Sequence, residues 1–186
     1  MTAVSQTRLQ ALYRNTDDPW HFRTSAYEQA KFAATAAALL RPRYRSALEL
    51  GCGNGELGRH LAPRCDAYTG VDAVDTAVQA ARQAVPNGQF VQAYFPCPLP
   101  DGPHDLIVMS EVLYFLDAPG LTSLARQIAS RWPKAELVSV IWLGPSGNAL
   151  EGEEAVGTFT SALPDDFTAE MITRTQHYRI DRIGAA

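Results

Sequence analysis

The chain lacks most of the features that would settle its class at a glance. It has three cysteines, Cys52, Cys65 and Cys97, an odd count with no CxxC spacing. That excludes a disulfide framework, argues against a structural zinc site, and fits a reducing cytoplasm. The four histidines, His21, His60, His104 and His177, show no ligand spacing and no HExxH, so no metal is expected. The longest apolar run, residues 32–40, is mostly alanine and too short to span a bilayer. Residues 1–12 hold no basic stretch leading into a hydrophobic segment, so neither a signal peptide nor a membrane anchor is expected. Charge of one sign is also scarce: 16 Lys and Arg oppose 20 Asp and Glu, a net −4. An acidic chain with no appended basic domain and no Asn/Asp-Pro-Pro-Tyr/Phe segment is not expected to bind nucleic acid. No Gly-Lys-Ser/Thr follows its glycines, which excludes a P-loop.

What is present is an ordinary globular composition, 46% hydrophobic and 19% charged over 186 residues. That length suits one domain, large enough to bury a core without covalent staples. We expect a single domain over 1–186, with N-terminal helices and a lid over 1–45, a cofactor-binding core over 46–143, and a C-terminal helix and strands over 144–186. A monomer or weak dimer is expected. Ser25 with Glu28 three residues later reads as a capping box opening an alanine-rich helix over 25–40, which Pro42 ends. Short apolar segments at 46–50, 67–72, 89–94, 104–109 and 135–143 read as strands. Helices fit between them at 56–61, 75–84 and 119–131, then at 153–163, and two final strands fit within 169–183 around residues 176–177. Strands alternating with helices predict an α/β, Rossmann-like fold: a mostly parallel seven-stranded sheet with helices on both faces. Ligands of such sheets sit at the carboxyl ends of the strands.

The residues just after the strands carry the chemistry. The first strand runs into Glu49-Leu50-Gly51-Cys52-Gly53-Asn54-Gly55, and Asp72 ends the next strand, 21 positions after Gly51. Glycines allow a tight turn and close backbone approach, and a carboxylate at Asp72, beside Ala73, can accept both hydroxyls of a ribose. The pairing points to an adenosine-containing cofactor. Gly53-x-Gly55-x-x-Gly58 also fits a dinucleotide, so a nicotinamide-dependent oxidoreductase stays open, as does a non-catalytic module that only holds the cofactor. Glu49 favours S-adenosyl-L-methionine, with S-adenosyl-L-homocysteine as product. An acid two residues before the first glycine can hold an ammonium but would repel a pyrophosphate.

The place after the third strand resembles the one beside the adenine in class I methyltransferases, with Tyr94 where they usually hold an acid; that implies that the backbone of Ala93 and Tyr94 reads the adenine edge, and the Tyr94 ring either stacks on the base or packs in the core. The run after the fourth strand resembles the motif that lines the methyl-transfer centre in class I methyltransferases, which implies that Ser110 faces the methionine portion and makes Glu111 and Tyr114 the candidate catalytic residues touching the acceptor. An amine must lose a proton before it attacks a methyl sulfonium, and a carboxylate can take it. Glu111 can equally be a helix-start carboxylate. Residues 17–28, Asp-Asp-Pro-Trp-His-Phe-Arg-Thr-Ser-Ala-Tyr-Glu, are too aromatic for a plain linker and read as a lid closed by Trp20 and Tyr27. Cys52 has no evident histidine base and reads as a small filler within the cofactor loop.

The spacing Glu49-x-Gly51-x-Gly53-x-Gly55 resembles the first motif of class I methyltransferases. Together with Asp17-Asp18-Pro19-Trp20 through Tyr27-Glu28 and the run from Asp105 to Leu116, nearly the whole chain resembles the nodulation protein S (NodS) family. The resemblance implies S-adenosylmethionine as cofactor. It implies a small-molecule acceptor too, first the amine of an amino sugar or related small amine, and otherwise a hydroxyl methylated by an O-methyltransferase.

Overall fold

The computed structural model describes residues 3–185, so residues 1, 2 and 186 of the expected domain lie outside the described residues. Two helices come first, α1 (Gln6–Leu12) and α2 (Ala26–Ala37). Five parallel strands follow with their crossovers: β1 (Tyr44–Leu50), α3 (Glu56–Leu61), β2 (Cys65–Asp72), α4 (Asp75–Ala84), β3 (Gln89–Gln92), β4 (Leu106–Ser110), α5 (Ala118–Arg131) and β5 (Glu136–Trp142). Helix α6 (Gly152–Ser161) and a hairpin of β6 (Phe167–Arg174) and β7 (Tyr178–Ala185) complete the fold. The seven strands form one sheet in the order β3-β2-β1-β4-β5-β7-β6, with β7 antiparallel to both its neighbours.

Alternation along the central strands explains the layers. Ile107 and Met109 of β4 join Leu137 and Ile141 of β5 on one face, under α5 and α6. Leu106 and Val108 join Val138 and Val140 on the other, where Phe32 of α2, Leu57 and Leu61 of α3 and Val78 of α4 cover them. Every one of those strand residues is at most 1% exposed. Such a doubly covered sheet reads in sequence as short continuous apolar runs.

Three expectations shift. Helix α2 stops at Ala37, three residues before the expected end, so Pro42 lies beyond its cap and does not end it. Strand β3 ends at Gln92: the Ala93 N–H makes the last bond to β2, at the Asp72 carbonyl (2.9 Å), and the chain then enters the proline-rich stretch. The capping box before α2 is half formed. The Ser25 hydroxyl accepts from Glu28 N, but the Ser25 N–H already donates to His21 O (2.8 Å), so the Glu28 carboxylate has nothing to return to. Switching from β1 toward β2 on one side and β4 on the other opens a crevice at the strand ends, and β1, β2 and β4 all deliver their last residues into it.

Candidate active site

That crevice is a cavity of about 540 Å³, within the range of small-molecule sites. Its floor is the glycine loop. Gly51 has φ +77°, and a Cβ there would lie 2.7 Å from Ser110 O and 2.8 Å from the Val112 Cβ, so only glycine lets β1 turn beneath the end of β4. Gly53, φ +50°, donates its N–H to Asp72 Oδ2 (2.9 Å), and its Cα faces only ordinary contacts with Phe22 and Tyr13. Gly55 serves another purpose: with φ +83°, its missing Cβ lets it pack on the Ala81 backbone of α4, and it does not line the cavity.

Charge on the floor is unbalanced. Burial, and then Asp72, push the Glu49 carboxyl up to about 8, and its side-chain partner is the Tyr68 hydroxyl, which donates to Oε2. Asp72 accepts from Gly53 N and Val74 N (3.0 Å), yet burial outweighs those bonds and raises its pKa. Neither carboxylate has a basic side chain among its partners. Asn54 lines the same cavity, 1% exposed, with both amide atoms buried and without a hydrogen-bond partner. Native interiors rarely leave such groups unpaired. A ligand with an ammonium, a carboxylate and a vicinal diol would satisfy Glu49, Asn54 and Asp72 in one binding event. The S-adenosylmethionine expected from the sequence has all three, and its cationic and polar groups fit this donor and acceptor set.

The expected cofactor residues mostly converge. Trp20, Tyr27, Glu49, Gly51, Cys52, Gly53, Asp72, Ala73, Tyr94 and Ser110 all line the cavity. Ala93 does not: its N–H is held by Asp72 O and its side chain packs against the core, so it has no backbone donor for an adenine edge. The Tyr94 hydroxyl donates to Val4 O (2.6 Å), which aligns the ring with the N-terminal segment. Cys52 is 4% exposed with its thiol raised by burial, the state of an inert filler.

The lid is larger than residues 17–28. Asp18 caps the turn by accepting from Phe22 N (2.7 Å) and Arg23 N (3.1 Å), and Arg23 forks onto Asp17. This fixes Trp20 stacked on Phe22, with Tyr13 edge-on to Trp20 (5.7 Å). Helix α1 lies across the mouth, strapped by Val4 N to Phe115 O (2.9 Å) and by Arg8 Nη2 to Gly147 O (3.2 Å). Leu9, Leu12 and Tyr13 face the cavity from it.

At the far end, beyond Ser110, Glu111 adopts φ +52°, an uncommon state for a residue with a Cβ. Its Oε1 accepts from Lys31 Nζ (2.7 Å), and its Oε2 accepts from Trp142 N (2.7 Å) and the Tyr114 hydroxyl (3.0 Å). Burial, then Glu111, hold the Tyr114 phenol well above its ordinary pKa, so it stays protonated and donating. Lys31 is 4% exposed and also lies 2.9 Å from Glu28. Lys31, Glu28, Tyr13, Asn54 and Trp142 are absent from the site expected from sequence. Lys31 and Glu28 carry a faint signal, an i,i+3 pair on the helix just after the lid. No group of His, Cys, Asp or Glu among the described residues could hold a metal, and no helix among them is long and apolar enough to cross a membrane.

The sheet order with its single reversed β7, the glycine turn under β4 and the acid ending β2 give the fold of the class I S-adenosylmethionine-dependent methyltransferases. Within that class, the chain belongs to the nodulation protein S (NodS) family, whose model matches residues 5–130. It is similar to nodulation protein S of Bradyrhizobium diazoefficiens, 36% identical over 109 residues, which are 54% of this chain and 50% of that one. The nodulation protein S of Sinorhizobium fredii is 29% identical over 165 residues, 82% of this chain and 68% of that one. The chain thus spans about half the length of the first relative and about two thirds of the second. The structure of N-methyltransferase NodS from Bradyrhizobium japonicum WM9 with S-adenosyl-L-homocysteine superposes with a TM-score of 0.77 at 21% identity, covering 95% of this chain and 97% of that one.

Proposed function

We propose that this protein transfers a methyl group from S-adenosylmethionine to the nitrogen of a small amine, with the amine of an amino sugar as the first choice. The observation that supports it best is the pairing of a buried, cation-free Glu49 with Asp72 across the glycine loop. When bound, the cofactor would supply an electrophilic methyl group on its sulfonium, for which the thioether is the leaving group. The chain's own work is alignment and exclusion of water. Glu49 takes the ammonium, Asp72 the ribose hydroxyls, and the Gly51–Gly53 backbone lets the methionine portion lie against the floor. Glu111 and Tyr114, tied to each other and to Trp142 N, shape the acceptor end. The relative described as an N-methyltransferase supports nitrogen over oxygen as the acceptor atom.

The test is a titration of S-adenosylhomocysteine against NAD⁺, followed by transfer of labelled methyl to two chitooligosaccharides, one with a free terminal amine and one fully acetylated. Binding of S-adenosylhomocysteine alone, with label on the free amine alone, is expected. Label on a hydroxyl would move the assignment to an O-methyltransferase, and preferential NAD⁺ binding would overturn the methyltransferase reading.

A further inference from the structure

The acceptor end of the cavity carries more negative charge than its own residues neutralise. Glu28, Lys31 and Glu111 all line it, so two carboxylates share one ammonium. They do not share it equally. Glu111 is saturated by three donors, from Lys31, Trp142 and Tyr114, and they hold it in its left-handed backbone state. Glu28 has Lys31 alone. Its Oε2 is buried and lies 2.9 Å from Nζ as an ion pair, and no other donor reaches it. The half-formed cap of α2 explains why this carboxylate has no second donor: the Ser25 N–H it would otherwise reach is already bonded to His21 O. Burial opposes the charge on Lys31, but Glu111 and Glu28 outweigh it and raise the lysine's pKa, so its ammonium is fixed and cannot serve as a base.

We infer that Glu28, and not Glu111, receives the acceptor: its carboxylate binds the protonated amine of the substrate and takes the proton that must leave before methyl transfer. Lys31 and Glu111 are positioning residues that hold Glu28 at the cavity wall. This rests on the methyltransferase reading and adds the residue that selects the acceptor. A buried carboxylate short of one counter-charge favours a ligand that brings a single positive charge. Tyr27, whose ring lies 5.5 Å from Lys31 Nζ, and Trp142 flank the same space and give the carbon skeleton of that amine an apolar wall. The step balances simply. R–NH₃⁺ gives one proton to the Glu28 carboxylate, which becomes a carboxylic acid. The freed lone pair then attacks, and the acid returns its proton to water after product leaves. A hydroxyl acceptor brings no such charge and leaves Glu28 as unsatisfied as before.

The experiment uses the full chain loaded with S-adenosylhomocysteine and titrates n-butylammonium, glucosamine and, as a neutral control, n-butanol. Binding is read by calorimetry and by the ¹³C shifts of labelled glutamate carboxyls. Wild type is expected to bind the two amines, with the shift confined to one glutamate. Glu28→Gln should weaken both amines tenfold or more, leave n-butanol unchanged, and leave S-adenosylhomocysteine affinity within twofold. Lys31 keeps Glu111 as a partner in that variant, so the fold is expected to survive. Glu28→Asp should recover part of the loss. Equal amine binding by wild type and Glu28→Gln overturns the inference, as does failure of wild type to bind either amine. The cofactor arm separates the two readings: loss of S-adenosylhomocysteine binding by wild type overturns the methyltransferase reading, whereas amine results alone bear on Glu28.

Discussion

Replacing Glu49 by glutamine separates charge from shape at the cavity floor. The amide has nearly the size of the carboxylic acid and can still accept from the Tyr68 hydroxyl. What it cannot do is become an anion. In the free protein, the Glu49 carboxyl titrates near 8, so at pH 7 it is mostly protonated and the substitution is close to neutral for the empty fold. With ligand the balance changes, because an arriving ammonium favours the ionised acid. A hydrogen bond between charged partners contributes about 1.5–3 kcal/mol, or roughly 10- to 150-fold in affinity. Glu49→Gln should therefore weaken S-adenosylhomocysteine by about that factor.

The pH dependence follows from the same shift. The unfolded acid loses its proton near its ordinary value of 4.5, whereas the folded one holds it until about 8. The folded state thus binds more protons in between, and the free protein loses stability as pH rises through that window. Ligand binding expels the proton, so affinity should rise between pH 6 and 8 in wild type and stay flat in Glu49→Gln. Calorimetry in two buffers of different ionisation enthalpy counts the released proton directly. Equal affinities for wild type and variant, with no proton released by wild type, would refute the assignment.

Three other substitutions test the floor and its turn. Asp72→Ala should weaken S-adenosylhomocysteine and adenosine alike by roughly 1–3 kcal/mol, since both carry the ribose diol; loss confined to one ligand would place Asp72 elsewhere. Gly51→Ala meets a positive φ worth about 1–2 kcal/mol and a 2.7 Å approach to Ser110 O, so its thermal midpoint should fall by several degrees; an unchanged midpoint would mean the turn relaxes freely. Asn54→Leu should leave the empty fold as stable or more so, because an unpaired buried amide costs about 1–3 kcal/mol. It should weaken S-adenosylhomocysteine but not 5′-methylthioadenosine, which lacks the amino-acid carboxylate; parallel losses would remove Asn54 from that role.

The residues of the cavity floor were largely legible in the sequence; at the far end Glu111 and Tyr114 were, and Lys31, Glu28 and Trp142 were not. Helices α3 and α4 begin and end where glycine, proline and apolar spacing place them, because local chemistry at Gly55 and Pro86 decides their bounds. Glu49, Gly51, Gly53 and Asp72 are close in the chain or a fixed supersecondary distance apart, so a motif can find them. Lys31 and Glu111 are 80 residues apart and meet only because α2 folds back over the end of β4. Nothing local to Lys31 marks it as buried, since lysines on helices usually reach solvent. Ala93 shows the opposite failure: its position after β3 suggested a ligand contact, but the parallel ladder claims its N–H for Asp72 O.

The strap across the mouth has a consequence for traffic. Helix α1 contains no buried residue, and Val4 N, Tyr94 Oη and Arg8 Nη2 supply its hydrogen bonds to the body. At about 0.5–1.5 kcal/mol apiece, they contribute a few kcal/mol to the cost of release, to which the burial of Val4 and Tyr13 adds. The mouth therefore opens as a local event, and every strand stays paired while it does. The floor lies beneath the strap and behind Trp20, and the acceptor wall lies beside it. A molecule seated on the floor can leave only when this strap opens, so its exchange is tied to α1 and not to the sheet.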